Sequence, residues 1–278
     1  MTIPQKIGVL GGGRMGAGIA HSFLAAGAEV VVVDVNDSAT TAARNRIAHD
    51  VDRSLARGAQ GTAQEWLSRL TVTTDIECFA DLPLVVEAVP ESMDVKVSSF
   101  RSIEQVAPGA VIATNTSSLS VSDLAATVSN NVIGLHFFNP VPASKLVEII
   151  VADSTPQDLV DSARGWGETL GKTPIVVQDS PGFASSRLGV VIALEAIRMV
   201  EEGVASPEDI DNAMVLGYKF PIGPLALTDI VGLDVRLGIA EYLASTLGER
   251  FAPPQLMRDM VTRGELGRKS GKGFYTYS

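Results

Sequence analysis

Lys6–Asp34 reads KIGVLGGGRMGAGIAHSFLAAGAEVVVVD. It opens with an apolar run (Ile7, Val9, Leu10), passes through Gly11, Gly13 and Gly16, shows helical apolar spacing at Met15, Ile19, Phe23 and Leu24, and closes in a valine-rich run. The order is strand, glycine turn, helix, strand. Each glycine meets a separate physical need, in that Gly11 permits the tight turn, Gly13 lets the backbone approach a pyrophosphate, and Gly16 lets the helix pack close on the strand. The helix N-terminus then presents unbonded N–H groups to the phosphates. A lone G-x-G-x-x-G is weak, but this one follows a strand, opens a helix and is completed by Asp34, 23 positions after Gly11. A carboxylate at the end of the second strand accepts hydrogen bonds from an adenosine ribose 2′-hydroxyl and repels a 2′-phosphate. The element therefore predicts NAD in preference to NADP.

Beyond Asp34, the stretch DSATTAARNRIAHDVDRSLARG reads as a helix capped near Asp37 or Ser38 and ending toward Gly58. Ile47, Val51 and Leu55 form its apolar face, while Arg46, His49, Arg53 and Arg57 share another. Such stripes are usually solvated. In a chain of net charge −10, however, a cluster of cations is also a candidate contact for a phosphate-bearing ligand, and Arg53 is carried forward as a substrate candidate. Strands are expected at Leu70–Thr73, Leu84–Ala88, Val111–Thr114, Val132–Leu135, Leu146–Ile150 and Thr173–Val177. Helices are expected at Met93–Val106, after a cap at Ser120 or Ser122, and from about Pro156 to Leu170. This alternation is the pattern of a doubly wound α/β sheet.

From Pro181 the texture changes. Phe183–Glu202, the segment opened by Ser206 and Pro207, Leu225–Ile230, Leu233–Leu247 and Pro254–Arg263 all read as helices. The expected fold is thus a Rossmann-type doubly wound sheet over 1–180 followed by an all-helical domain over 181–278. A chain of 278 residues is long enough for two such cores.

The acidic balance argues against nucleic acid as a main partner. No apolar run approaches the roughly 20 residues of a membrane span, and no basic segment with an apolar core marks a secretion signal. The chain reads as soluble and cytoplasmic, with no membrane partner. Cys78 stands alone, so no internal disulfide is possible, and a buried structural thiol is the expectation for it. No metal site is expected.

An NAD-binding half implies hydride transfer, which needs a base for the hydroxyl proton. Of the three histidines, His21 and His49 lie on helices where structural or solvated roles are the simpler reading. His136 ends a strand in GLHFFNPVPASKLVEI, and loops beyond the carboxyl ends of parallel strands are where α/β folds bind ligands. Glu148 sits among Leu146, Val147, Ile149 and Ile150, where an unpaired carboxylate is costly. Pairing with His136 would orient the imidazole and stabilise its protonated form. Asn115, Thr116, Ser117 and Ser118 follow the preceding strand and place polar groups at the same sheet edge.

GLHFFNP followed by KLVE, the upstream NTSS, DSPGF, GPLALTDIVGLD and GRKSGKGFYTY together resemble the short-chain L-3-hydroxyacyl-CoA dehydrogenases, including the 3-hydroxybutyryl-CoA dehydrogenases, over essentially the whole chain. The resemblance implies reversible NAD-dependent oxidation of (S)-3-hydroxyacyl-CoA to 3-oxoacyl-CoA, an acyl-CoA partner and a homodimer formed through the helical domain. It makes His136 the catalytic base, Glu148 its partner and Ser117 the contact to the reacting oxygen. Asp34 is implied at the adenosine ribose and Glu91 and Lys96 near the nicotinamide ribose, with Gly11, Gly13, Gly16 and Met15 completing the cofactor set. Asn139, Ser186 and Arg53 are the substrate candidates. Ser186 departs from the family pattern, which has Asn before Arg187 in many members. A dehydrogenase of a CoA-free hydroxy acid, of sugar-acid or carnitine type, and a non-catalytic NAD-binding protein are the alternatives. A 6-phosphogluconate or β-hydroxyacid dehydrogenase is disfavoured, because no glycine-rich motif with a suitable lysine follows Pro181.

Overall fold

The computed structural model describes residues 3–277. It divides into two compact units between Ser180 and Pro181. The first unit runs β1 (Lys6–Leu10), α1 (Arg14–Ala25), β2 (Glu29–Val33), α2 (Asp37–Ala56), α3 (Ala63–Leu67), β3 (Leu70–Thr73), β4 (Leu84–Glu87), α4 (Met93–Val106), β5 (Val111–Thr114), α5 (Val121–Ala125), β6 (Val132–Phe137), β7 (Leu146–Val151), α6 (Gln157–Thr169) and β8 (Thr173–Gln178).

These strands form one eight-stranded sheet in the order β3-β2-β1-β4-β5-β6-β7-β8. All neighbours are parallel except β6 and β7, which are antiparallel. The cause is length. A parallel return needs a crossover of a dozen or more residues, and residues 138–145 are too few for one. The chain order reverses between β1 and β4, which makes their carboxyl ends the natural ligand crevice.

The sheet strands are apolar because helices cover them: Ile7, Val9, Val30 and Val32 pack with Ile19 and Phe23 of α1 and Ile47 and Val51 of α2. Each such side chain contributes about 1.5–3 kcal/mol when fully buried. The helix after β2 is capped by Asn36, whose side chain accepts from Ala39 N, in place of the expected Asp37 or Ser38. Thr62 and Glu65 form a capping box that starts the short α3, an element absent from the sequence-based expectation. Cys78 corrects another expectation: it is exposed, because the 3-10 turn Ile76–Phe79 turns Phe79 into the core and the thiol outward.

The second unit contains α7 (Ser185–Glu201), α8 (Pro207–Asn212), a π-helical turn at Ala213–Gly217, α9 (Pro224–Val231), α10 (Leu233–Leu247) and α11 (Gln255–Thr262). Val190, Leu194 and Ile197 of α7 meet Leu225, Ala240, Leu243 and Met257 in its core. Isolated bridges pair Lys272 with Gly267 and Thr276, the one β-like detail described in this unit. Two buried aspartates lock it. Asp211 accepts from Leu225 N, Ala226 N and the Tyr275 hydroxyl, and Asp229 accepts from Phe274 N, Tyr275 N and the Tyr277 hydroxyl. Carboxylates satisfied in this way tie the terminal segment to α9.

Candidate active site

In the first unit the glycine turn is built for a ligand outside the chain. Gly11 has φ +93°, open to glycine at little cost, and a Cβ on Gly16 would lie 1.8 Å from the Gly11 carbonyl oxygen. A Cβ on Gly13 would meet no protein atom within 4 Å, so the space it leaves faces away from the fold. The first turn of α1 has no side-chain cap, and its N–H groups are left for an anion. Asp34 is held at the far end, where its two oxygens accept from Gly12 N (2.8 Å) and Val35 N (2.7 Å). A carboxylate retains lone pairs beyond these two bonds. The resulting cleft of about 620 Å³ is lined by Gly11, Gly13, Met15, Asp34, Ile76 and Val89 among others. These residues fit a dinucleotide.

Met15, Ala88 and Val89 also border a second cleft of about 390 Å³, which holds Glu91, Asn115, Ser117, His136 and Asn139. His136 and Glu148 are directly paired across β6 and β7, with Nδ1 2.7 Å from Oε2. Glu148 is fully buried. A buried carboxylate at this distance selects the tautomer that carries the proton on Nδ1, which makes Nε2 the nitrogen able to accept a proton. Phe138 packs against the imidazole in a tilted arrangement, 4.5 Å between centroids. Asn115 Oδ1 accepts from Phe137 N at 2.9 Å and so fastens the end of β5 to the residue after the histidine.

Glu91 Oε1 collects the hydroxyls of Thr116 (2.8 Å), Ser117 (3.1 Å) and Ser118 (3.0 Å) and the N–H groups of Ser117 and Ser118. Burial pushes its carboxyl up, but the Lys96 ammonium and these donors outweigh that and hold it below the ordinary carboxylate range. Lys96 itself is sealed beneath the surface at 1% exposure, with Nζ 2.7 Å from Glu87 Oε1 and 3.5 Å from Glu91 Oε2. Its contacts are with these two carboxylates and the Val89 carbonyl oxygen. Glu87, also accepting from Thr114 Oγ1 and Val89 N, completes a buried base for the site. The sequence reading missed it, although Glu87 in LVVEA shows the same isolated charge in an apolar run as Glu148.

Asn139 borders the His136 cleft and a third, smaller depression lined by Arg14, Asp50, Arg53, Ser54 and Arg57. Arg53 and Arg57 therefore belong to a concave surface. Arg46 of the same stripe turns instead toward the glycine loop, 3.3 Å from the Gly12 carbonyl oxygen, and His49 is exposed. His21 is buried, with Nε2 2.9 Å from Ser54 Oγ, and burial lowers its pKa. Ser186 lies in the helical unit, half-buried near the start of α7. No group of three or more His, Cys, Asp or Glu suited to a metal occurs among the described residues.

The model of the 3-hydroxyacyl-CoA dehydrogenase NAD-binding domain matches residues 6–180, and that of the 3-hydroxyacyl-CoA dehydrogenase C-terminal domain matches residues 182–277. A 3-hydroxybutyryl-CoA dehydrogenase of Mycobacterium tuberculosis is 42% identical over 98% of both chains. A probable 3-hydroxybutyryl-CoA dehydrogenase of Deinococcus radiodurans is also 42% identical, over 98% of this chain and 100% of its own. The crystal structure of (S)-3-hydroxybutyryl-CoA dehydrogenase from Ralstonia eutropha superposes with a TM-score of 0.94 at 38% identity, covering 99% of this chain and 100% of that one.

Proposed function

The chain belongs to the 3-hydroxyacyl-CoA dehydrogenase family, and from that premise we propose that it interconverts short-chain (S)-3-hydroxyacyl-CoA and 3-oxoacyl-CoA, with His136 as the base. It is an NAD-dependent dehydrogenase. The observation that carries the reading is continuity: Met15, Ala88 and Val89 join the glycine cleft to the His136 cleft, and Asn139 joins the latter to the arginine-lined depression.

NAD, when bound, supplies the hydride acceptor. In the oxidation direction His136 Nε2 takes the proton of the 3-hydroxyl, and in reduction it returns that proton to the oxygen. Glu148 holds the ring in place and stabilises the imidazolium, in a setting too apolar to tolerate an unpaired charge. The Ser117 hydroxyl lies beside His136 in the same cleft and hydrogen-bonds the reacting oxygen. Glu91 orients that hydroxyl and borders the nicotinamide ribose, with Lys96 acting through Glu91 from below. Arg53, with Arg14 and Arg57, meets the phosphates of CoA, and Asn139 and Ser186 contact the rest of the substrate. The arginines favour a CoA thioester over a CoA-free hydroxy acid.

The helical unit exposes Leu188, Leu216, Tyr218, Ile230 and Val235, which suits packing against a second copy in a homodimer. No described helix is long and apolar enough to cross a membrane. The exposed thiol of Cys78 suits the reducing cytoplasm, and the acidic surface disfavours nucleic acid.

A steady-state panel of 3-oxoacyl-CoA esters of increasing length with NADH, beside the corresponding free acids, tests this assignment. Highest kcat/KM with the four-carbon thioester is expected. Preference for the free acids would overturn the reading.

A further inference from the structure

His21 of α1 is a buried polar group that the chemistry described above does not use. It is 3% exposed, its ring centroid lies 5.8 Å from that of Trp66, and Nε2 is 2.9 Å from Ser54 Oγ of α2, while Nδ1 has no hydrogen-bond partner. Burial lowers its pKa against the attraction of Asp50, with the Lys172 ammonium adding to the lowering, so the ring is neutral at pH 7 and carries one proton. The two surroundings decide which nitrogen holds it. On Nδ1 the proton would be a buried donor without an acceptor, an arrangement that folded chains rarely keep. On Nε2 it is donated to Ser54 Oγ.

That tautomer settles what Ser54 can do. A hydroxyl carries one proton and accepts through its lone pairs, so an oxygen that accepts from His21 keeps its own proton for another partner. Ser54 stands at i+3 from Val51 and i+7 from Ile47, the buried positions of α2, which sets it at the margin of the packed face. It also lines the depression of about 170 Å³ that Arg14, Arg53, Arg57 and Asp50 share. Among the described residues no ion pair engages any of these three arginines, although the chain carries a net charge of −10. Three guanidiniums and one O–H are all donors, and a phosphate, with its several charged oxygens, is the group that accepts from such a set.

We propose that His21 is a positioning residue for the phosphate-bearing end of acyl-CoA: by donating to Ser54 Oγ it fixes the Ser54 hydroxyl as a donor to a CoA phosphate in the arginine-lined depression. The inference rests on the reading of that depression as the contact for the phosphates of CoA, and adds to it a buried residue of α1 that does not itself touch the substrate. Without His21 the hydroxyl is released to bond back to a carbonyl oxygen of its own helix, as helical serines do, and the phosphate then meets a lone pair in place of a proton.

The full chain, His21→Leu, His21→Gln, Ser54→Ala and the protein carrying both His21→Leu and Ser54→Ala are assayed with NADH on acetoacetyl-CoA and on the acetoacetyl thioester of N-acetylcysteamine, which has no phosphate. CoA is also titrated calorimetrically into each protein at saturating NAD. In His21→Leu the ratio of kcat/KM for acetoacetyl-CoA to that for the phosphate-free thioester should fall about tenfold, the scale of one hydrogen bond to a charged group, and CoA should bind more weakly by the same factor. Ser54→Ala should reproduce this, and the double variant should lose nothing further, because the two residues act through one contact. His21→Gln offers an amide N–H in place of Nε2–H and should keep most of the ratio. Equal losses of His21→Leu on both thioesters would make the histidine a packing residue only and overturn the proposal, as would additive losses in the double variant. Unchanged CoA affinity of Ser54→Ala overturns it as well, and that result decides even if His21→Leu does not fold. Inactivity of the unmodified protein on acetoacetyl-CoA would count against the proposed function, whereas the CoA titration reads the depression independently.

Discussion

His136 and Glu148 face each other across an antiparallel strand pair, with Nδ1 and Oε2 2.7 Å apart and both side chains buried. The carboxylate lies in an apolar setting where an unpaired charge is costly, and the imidazole has one nitrogen committed to it. His136→Gln is therefore expected to lower kcat at least about 10²-fold with a modest change in KM, since a positioned base contributes that much. Glu148→Gln keeps the volume and should impair the same step in a folded protein. Near wild-type kcat for a folded His136→Gln would show that another group takes the proton.

Asp34 is pre-fixed by two backbone N–H groups, so its carboxylate cannot readily swing aside for a 2′-phosphate. NADH should be preferred to NADPH, and Asp34→Ser should narrow the preference. The measurement is kcat/KM for both cofactors. Equal values in the unmodified protein would sink the assignment.

Ser117 shares the cleft of His136, whereas Ser186 offers a single hydroxyl on a short stem where many family members have an amide. Ser186→Ala is expected to cost less than about 1.4 kcal/mol in kcat/KM on acetoacetyl-CoA, a factor of ten. Ser117→Ala should cost distinctly more. The reverse ranking would make Ser186 the direct donor to the reacting oxygen.

Glu91 gives a pH signature. Its folded-state pKa lies below that of the unfolded chain, so the stability it contributes is present above the ordinary carboxylate pKa and is lost as pH falls through the folded value. Glu91→Gln should flatten the acid limb of a plot of Tm against pH. An acid limb of unchanged slope would mean that the cluster of donors around Glu91 does not persist in solution.

Much of the fold and site is legible in the sequence, because it is written in local patterns. The glycine turn and Asp34 are read from spacing along one βαβ unit, and Glu148 from a charge set in an apolar run. What is not legible depends on contacts between distant segments. Glu91 draws its five donors from a turn some 25 residues away, and nothing in its own surroundings announces that. The antiparallel turn of β7 depends on the shortness of residues 138–145, a signal present in the sequence but outweighed by the regular alternation around it. Cys78 is exposed because of how one 3-10 turn rotates, which composition does not reveal.

The pairing of β6 with β7 makes the proton-handling pair a matter of parity. Successive side chains on a strand alternate between faces, so a one-residue slip of β7 against β6 would send the carboxylate to the opposite side of the sheet. The connecting loop obeys no such constraint, and it is this loop, through Asn139–Ala143, that lines the arginine-bearing depression. Substrate recognition can be reshaped there, by changes of length as well as of residue, while the chemistry stays fixed by the register that sets Glu148 opposite His136.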